Sequence, residues 1–270
     1  MQPNIKLLHN MLTYRRPAGS TTEREFIHRY IRPLGTKRDY IGNHILRIGT
    51  NPLIMFTSHT DSVHRQPGRQ RIYIDKYGYI GLPQNTTSNC LGADDAAGVW
   101  LMRELILRRV PALYVFQGAE EIGGIGSDYI ATTTPKLLTD IKYCISLDRR
   151  GYSSVITHQG TRCCSDAFAE SLCQQLGPYW QPDPTGLFTD SANYTALIPE
   201  CTNLSVGYNN EHTADEHLYV PHLVSLLTAL TNLQPNLLQC TRNPKTDTYW
   251  DEEFDLDYPL LWHTFKEPIQ

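Results

Sequence analysis

Residues 53–61 read Leu-Ile-Met-Phe-Thr-Ser-His-Thr-Asp, a short apolar run that stops on a cluster of polar, ionisable side chains. The same pattern recurs along the chain. Residues 112–121 read ALYVFQGAEE, residues 143–148 read YCISLD, and the run NLSV at 203–206 leads to Glu211-His212-Thr213-Ala214-Asp215-Glu216. Apolar runs this short, bounded by turn residues, suit buried strands. Further strands are expected at 45–48 and 154–157, with an antiparallel hairpin over 71–82 turning at 76–78. Helices are expected over 21–34, capped by Thr21 or Thr22, and over 96–109, 165–176 and 223–233. Strands alternating with helices imply an α/β fold, a mostly parallel mixed sheet with helices on both faces. Such sheets bind ligands beyond the carboxyl ends of their strands, which is where the polar clusters fall.

The chain has 270 residues, 40% hydrophobic and 19% charged, enough apolar material for a sizeable core and too much for a disordered scaffold. No repeat or linker divides it, so one catalytic domain over 1–270 is expected, with an acidic, aromatic C-terminal extension, 236–270, packed on it. No apolar run approaches the roughly 18–20 residues of a membrane span. The first residues show no secretory apolar core, and the seven cysteines form no Cys-x-x-Cys pair. These features fit a cytoplasmic protein with reduced thiols, without a membrane partner and without a cysteine-based zinc site. A net charge of −4 argues against nucleic acid as a partner.

Five side chains at the strand ends are hard or borderline metal ligands: His59, Asp94, Glu121, Asp148 and His212. Imidazole with carboxylate suits zinc, manganese or cobalt better than calcium. Five ligands exceed one catalytic tetrahedral site and fit two divalent ions if one carboxylate bridges them. Two such ions can share a hydroxide and clamp the oxyanion formed when it attacks a carbonyl. The paired acids fit the same chemistry. In extended backbone neighbours point in opposite directions, so one of Glu120 and Glu121 can bind metal while the other serves as general base. One of Asp94 and Asp95 can bridge while the other holds the loop. Asp61, two residues after His59, can accept the free imidazole N–H and fix its tautomer.

Ser58-His59-Thr60-Asp61, Leu91-Gly92-Ala93-Asp94-Asp95-Ala96-Ala97-Gly98, Gln117-Gly118-Ala119-Glu120-Glu121-Ile122-Gly123, Ser146-Leu147-Asp148 and Glu211-His212-Thr213-Ala214-Asp215-Glu216 resemble, in this order, the motifs of co-catalytic zinc exopeptidases. These are aminopeptidases and related amidohydrolases with a phosphorylase/hydrolase-like α/β fold. By that resemblance His59 and Asp148 would hold one ion and Glu121 and His212 the other. Asp94 would bridge them, and Glu120 would be the base. The substrate would be a peptide or small amide. The segment Phe188-Thr189-Asp190-Ser191, followed by Ile198-Pro199, is similar to the family's substrate-pocket segment, which makes Asp190 a candidate for substrate binding. Tyr208, close in sequence to His212, is a second.

Many relatives insert a lid or dimerisation domain. Here Asp94 and Glu121 are 27 residues apart and Asp148 and His212 are 64 apart, so no inserted lid domain is expected. The leading reading is a dinuclear zinc aminopeptidase. A glutaminyl-cyclase-like transferase, a non-peptide amidohydrolase and a non-catalytic binding module are the alternatives on this fold. Simpler roles compete at single positions: Asp95 as a helix cap, His217 and His222 as surface or packing residues, and Arg149 and Arg150 in structural ion pairs.

Overall fold

In the computed structural model, residues 2–247 are described. Eight strands form the main sheet, in the spatial order Gln181–Asp183, Ser154–Ile156, Glu200–Ser205, Tyr143–Arg149, Ile54–His59, Ala112–Gln117, His44–Ile48, Lys37–Arg38. The four central strands, from Glu200–Ser205 to Ala112–Gln117, run parallel. Antiparallel pairs appear only toward the edges. All six residues of Ile54–His59, of Ala112–Gln117 and of Glu200–Ser205 are buried. This is why Ile54–Phe56 and Ala112–Phe116 read as continuous apolar runs and not as alternating ones, whereas Glu200–Ser205, ECTNLS, is buried with mostly polar side chains.

Alternation survives in where the side chains go. Phe56, Tyr114 and Ile145 enter one core, shared with the helices α1 (Ile5–Met11), α2 (Thr21–Tyr30) and α3 (Ala93–Leu107). Met55, Leu113, Val115 and Cys144 enter the core on the opposite face, with Ile130 of α4 (Ile125–Thr133). Helices α5 (Asp166–Leu176) and α6 (Val220–Thr231) add Phe168, Leu172, Leu223 and Leu227 to the first core. The sheet is thus covered on both faces. Among the described residues, no helix is long and apolar enough to cross a membrane.

Three local expectations need correction. The α2 cap is Ser20, whose Oγ accepts the Glu23 N–H at 3.1 Å, because Thr22 instead turns its hydroxyl to the Arg15 carbonyl. That helix also ends early, at Tyr30, and Pro33 turns the remainder into a 3₁₀ turn, Arg32–Leu34. The hairpin does not join the main sheet. Tyr73–Ile74 pairs with Tyr79–Gly81, which pairs with His217–Tyr219, and a separate four-stranded sheet results. It seats the segment after His212 against the rest of the chain.

The N-terminal end of α3 approaches the strand Tyr143–Arg149 closely. A Cβ at Gly98 would stand 2.2 Å from the Leu147 carbonyl oxygen and 2.6 Å from Asp95 Oδ1. Gly98→Ala would gain roughly 1 kcal/mol of helix propensity. Displacing a strand carbonyl outweighs that gain. We expect a net loss of about 1–3 kcal/mol in urea unfolding, and a variant as stable as the parent would refute the close approach.

The described part of the C-terminal extension runs to residue 247. Tyr143 Oη donates to the Leu238 carbonyl, and Glu200 accepts the N–H groups of Thr241 and Arg242. Asp251, Glu252, Glu253, Tyr249, Trp250 and Phe254 lie outside the described residues. Six of the seven cysteines are buried, Cys240 is exposed, and all are free thiols.

Candidate metal centre

The five predicted ligands arrive from five separate places in the fold. His59 ends the strand Ile54–His59, Asp148 lies near the end of Tyr143–Arg149, and Glu121 follows Ala112–Gln117 across a turn. Asp94 precedes the regular part of α3, and His212 sits in the loop that joins two strands of the small sheet, Tyr208–Asn209 and His217–Tyr219. The structure brings all five together. Asp94 is the centre: its Oδ1 is 2.9 Å from His59 Nε2 and its Oδ2 is 3.1 Å from His212 Nε2. Asp148 Oδ1 lies 3.5 Å from His59 Nε2, and Glu121 Oε2 lies 3.3 Å from His212 Nε2. Ligand atoms of His59, Asp94 and Glu121 fall within 4.8 Å of one another, as do those of His59, Asp95 and Asp148.

Local chemistry explains why each side chain points inward. Asp94 (φ −76°, ψ 102°) and Asp95 (φ −120°, ψ 47°), joined by a cis peptide, stand outside helical geometry, so the helix proper starts at Ala96, where the sequence placed it. Asp95 accepts the Gly98 N–H at 2.9 Å and the His59 N–H at 3.2 Å. It therefore caps α3 and ties the helix to the strand that carries His59. Glu120 and Glu121 do not lie in extended backbone. Ala119 is left-handed at φ 62°, and both Gly123 and Gly124 donate to the Glu120 carbonyl, so a tight turn orients the two acids.

Asp61 is fully buried and serves two elements. Its Oδ1 stands 3.4 Å from His59 Nδ1, and its two oxygens accept the Glu120 and Glu121 N–H groups at 3.2 Å each. With Nδ1 facing Asp61, the Nε2 of His59 is left for the pocket. Asp190 is buried, 1% exposed, with Oδ1 lacking a hydrogen-bond partner. Tyr208 is also buried, and its hydroxyl donates to the Asp148 carbonyl at 2.9 Å, with Oδ1 at 3.2 Å. Its position is thus behind Asp148. Arg150 pairs with Glu211 at 3.0 Å and Arg149 faces Asp183 at 3.8 Å. His222 donates to or accepts from no pocket residue and rests on the Ser205 carbonyl at 2.9 Å.

Sequence reasoning missed several supports. Glu216 accepts the N–H groups of Leu91, Gly92 and Asp94 at 2.8–3.0 Å and so shapes the Asp94 loop. Arg16, fully buried, donates to the carbonyls of Thr60 and Gly92. Thr189 and Asn203 hold Asp148 by its side chain and backbone respectively. Glu216 stands four residues after His212 in the Glu211–Glu216 motif, and nothing local singles out Arg16.

The electrostatics are those of a buried acid cluster. Burial pushes Glu120 up to about 10, with Asp148, Asp190 and Asp94 adding repulsion. Burial and the Asp94 charge raise Asp148 to about 6, and burial raises Asp190 to about 7. Burial also acts to raise Asp94, but the two imidazoles outweigh it and hold its carboxyl below the usual range. Hydrogen bonds to Asp94 and then Glu121 lift His212 to about 11. Carboxylates outnumber the two imidazoles, and Glu121 Oε1 is buried without a hydrogen-bond donor. A pocket with this surplus of negative charge and nitrogen/oxygen donors fits divalent cations, whose charge inverts the local balance.

Behind the Asp94 loop, buried His64 is locked in one tautomer. Its Nδ1 faces Ser62 Oγ at 2.7 Å and the Arg16 N–H at 3.4 Å, so Nε2 carries the proton that meets Gln70 Oε1 at 3.2 Å. Burial, then the Arg16 charge, lowers this histidine to about 3. Below pH 6.5 the unfolded chain binds a proton that the native protein refuses, so stability falls as pH falls through that window. Between pH 7 and 5 the loss from this group is about 2 kcal/mol. Urea unfolding of His64→Gln should show that much less acid sensitivity than the parent, and equal sensitivity would exclude His64 as its source.

The profile of peptidase family M28 matches residues 43–188, just over half of the chain. No curated protein matches in sequence. Solved structures do match in fold. A tripeptidase from Staphylococcus aureus subsp. aureus Mu50 superposes with a TM-score of 0.69 at 15% identity, covering 85% of this chain and 96% of its own. Aminopeptidase PepT from Bacillus cereus ATCC 10987 gives 0.67 at 15% identity, covering 84% and 96%. The TET1 peptidase of Pyrococcus horikoshii gives 0.63 at 16% identity, covering 84% and 98%. With motifs, fold and family profile in agreement, the chain belongs to peptidase family M28 and is a metallo-exopeptidase.

Proposed function

We propose that the protein is a cytoplasmic, dinuclear zinc aminopeptidase that removes N-terminal residues from peptides. The observation that carries this reading is the two-sided contact of Asp94, one carboxylate oxygen toward each histidine. His59 and Asp148 would hold one cation, Glu121 and His212 the other, and Asp94 both. When bound, such a pair polarises a scissile carbonyl and lowers the pKa of water.

The chain's own residues supply the rest. Asp61 fixes the His59 ring, while Tyr208, Thr189 and Asn203 fix Asp148. Glu120, whose electrostatic neighbours are His59, Asp148, Asp190 and Asp94, takes a proton from the attacking water and returns it to the leaving amine. One cation or a nearby acid such as Asp190, whose Oδ1 has no hydrogen-bond partner, would hold the substrate's free amino group, which selects exopeptidase action.

The test is elemental analysis of protein purified without chelator, followed by a screen of aminoacyl chromogenic substrates after chelation and re-addition of single metals. About two metals per chain and metal-restored hydrolysis are expected. Hydrolysis indifferent to chelation would sink the proposal. One metal per chain with cyclisation of a Gln-initiated peptide would replace it with the transferase.

A further inference from the structure

We propose that a second cavity, lined by Arg15, Arg69 and Arg71, is a binding site for a small phosphorylated anion of diphosphate type. The cavity has a volume of about 300 Å³ and shares no residue with the metal centre. Residues far apart in sequence build it. Tyr14–Arg15 pairs antiparallel with Gly68–Arg69, which sets Arg15 beside Gly68, and Arg71 follows two residues on. Asn85 and Thr87 add polar side chains from the loop opposite, and no carboxylate lines the walls.

Three guanidinium groups line one cavity, Arg15 half-buried and Arg69 and Arg71 exposed, and gather positive charge at its mouth. Among the described residues none of the three has an ion-pair partner. Arg69 is held over the Tyr14 ring, 3.5 Å from its centroid, a stacking contact that leaves its N–H edges free for acceptors. Arg15 Nε is buried without a hydrogen-bond partner, a donor unmet by the protein itself. Planar guanidinium forks match the oxygens of phosphoryl groups two at a time. Three forks at the edge of a space this size suit two linked phosphoryl groups better than one. The volume lies at the small end of ligand pockets.

The position also links the cavity to the Asp94 loop. Gln70, between the two arginines in the cavity wall, donates to the Leu91 carbonyl, and Ser88 donates to the Cys90 carbonyl. A bound anion would therefore brace the backbone that delivers Asp94.

Calorimetric titration of the full, metal-loaded chain tests the site, with pyrophosphate, inorganic phosphate and citrate as probes at matched ionic strength. Pyrophosphate should bind the parent, and Arg69→Gln with Arg71→Gln should weaken that binding about tenfold or more. Arg24→Gln, on α2 outside the cavity, should leave it unchanged. The comparison isolates the cavity from anything pyrophosphate does at the metal centre, since both proteins keep that centre. A thermal melt of the double variant shows whether it is folded. Equal affinity in parent and folded double variant would overturn the site. Citrate binding as tightly as pyrophosphate would overturn the phosphoryl assignment.

Discussion

Glu120→Gln is expected to retain the parent's metal content and lose turnover by about 10²–10⁴-fold. The substitution keeps size and shape and removes only the capacity to take a proton. The turn that carries Glu120 does not depend on its side chain. It is held by the backbone, through the Glu120 N–H on Asp61 and the Glu120 carbonyl that accepts from Gly123 and Gly124. The ligand contacts run through His59, Asp94, Glu121, Asp148 and His212, and the shortest approaches exclude Glu120. Binding and proton transfer are therefore separable at this residue. Steady-state kinetics with metal analysis on the same preparation decides the matter. Turnover within tenfold of the parent would remove Glu120 from the base role, and loss of metal would make it a ligand.

Much of the centre was legible because the fold places its chemistry at the ends of buried parallel strands. His59, the Glu120–Glu121 pair and Asp148 each follow an apolar run that became a central strand of the sheet. Asp95 was legible as a cap because helix starts have a local code. What remained hidden depends on closure between distant segments. Glu216 meets N–H groups 122 to 125 residues earlier, and Arg16 reaches the carbonyls of Thr60 and Gly92. Helix α4 was hidden for a different reason. Its sequence, IGSDYIATT, is rich in residues of modest helix propensity, and its start is a left-handed Gly124 without a side-chain cap. Tertiary contacts hold it instead, with Asn193 donating to Ser127 Oγ at 2.8 Å. The hairpin over 71–82 was visible as a hairpin, but its partner strand, His217–Tyr219, lies more than a hundred residues on and has no local signature.

Asp94→Asn and Asp95→Asn should separate two adjacent carboxylates that look alike in sequence. Asp94 presents one oxygen to each of two imidazoles, so Asn would replace one acceptor with an NH₂ group and remove the shared negative charge. Metal occupancy should then drop below two per chain, and kcat/KM should fall by about 10³-fold or more, since a two-cation clamp contributes several kcal/mol to the transition state. Asp95 spends its oxygens on the N–H groups of Gly98 and His59. Asn keeps one of those acceptors, so the expected cost is about 1–2 kcal/mol in urea unfolding with metal retained. Its ligand atom also lies within 4.8 Å of those of His59 and Asp148, which makes the contrast decisive. If Asp95→Asn empties the site while Asp94→Asn does not, the bridging role passes to Asp95 and the cap becomes the incidental contact.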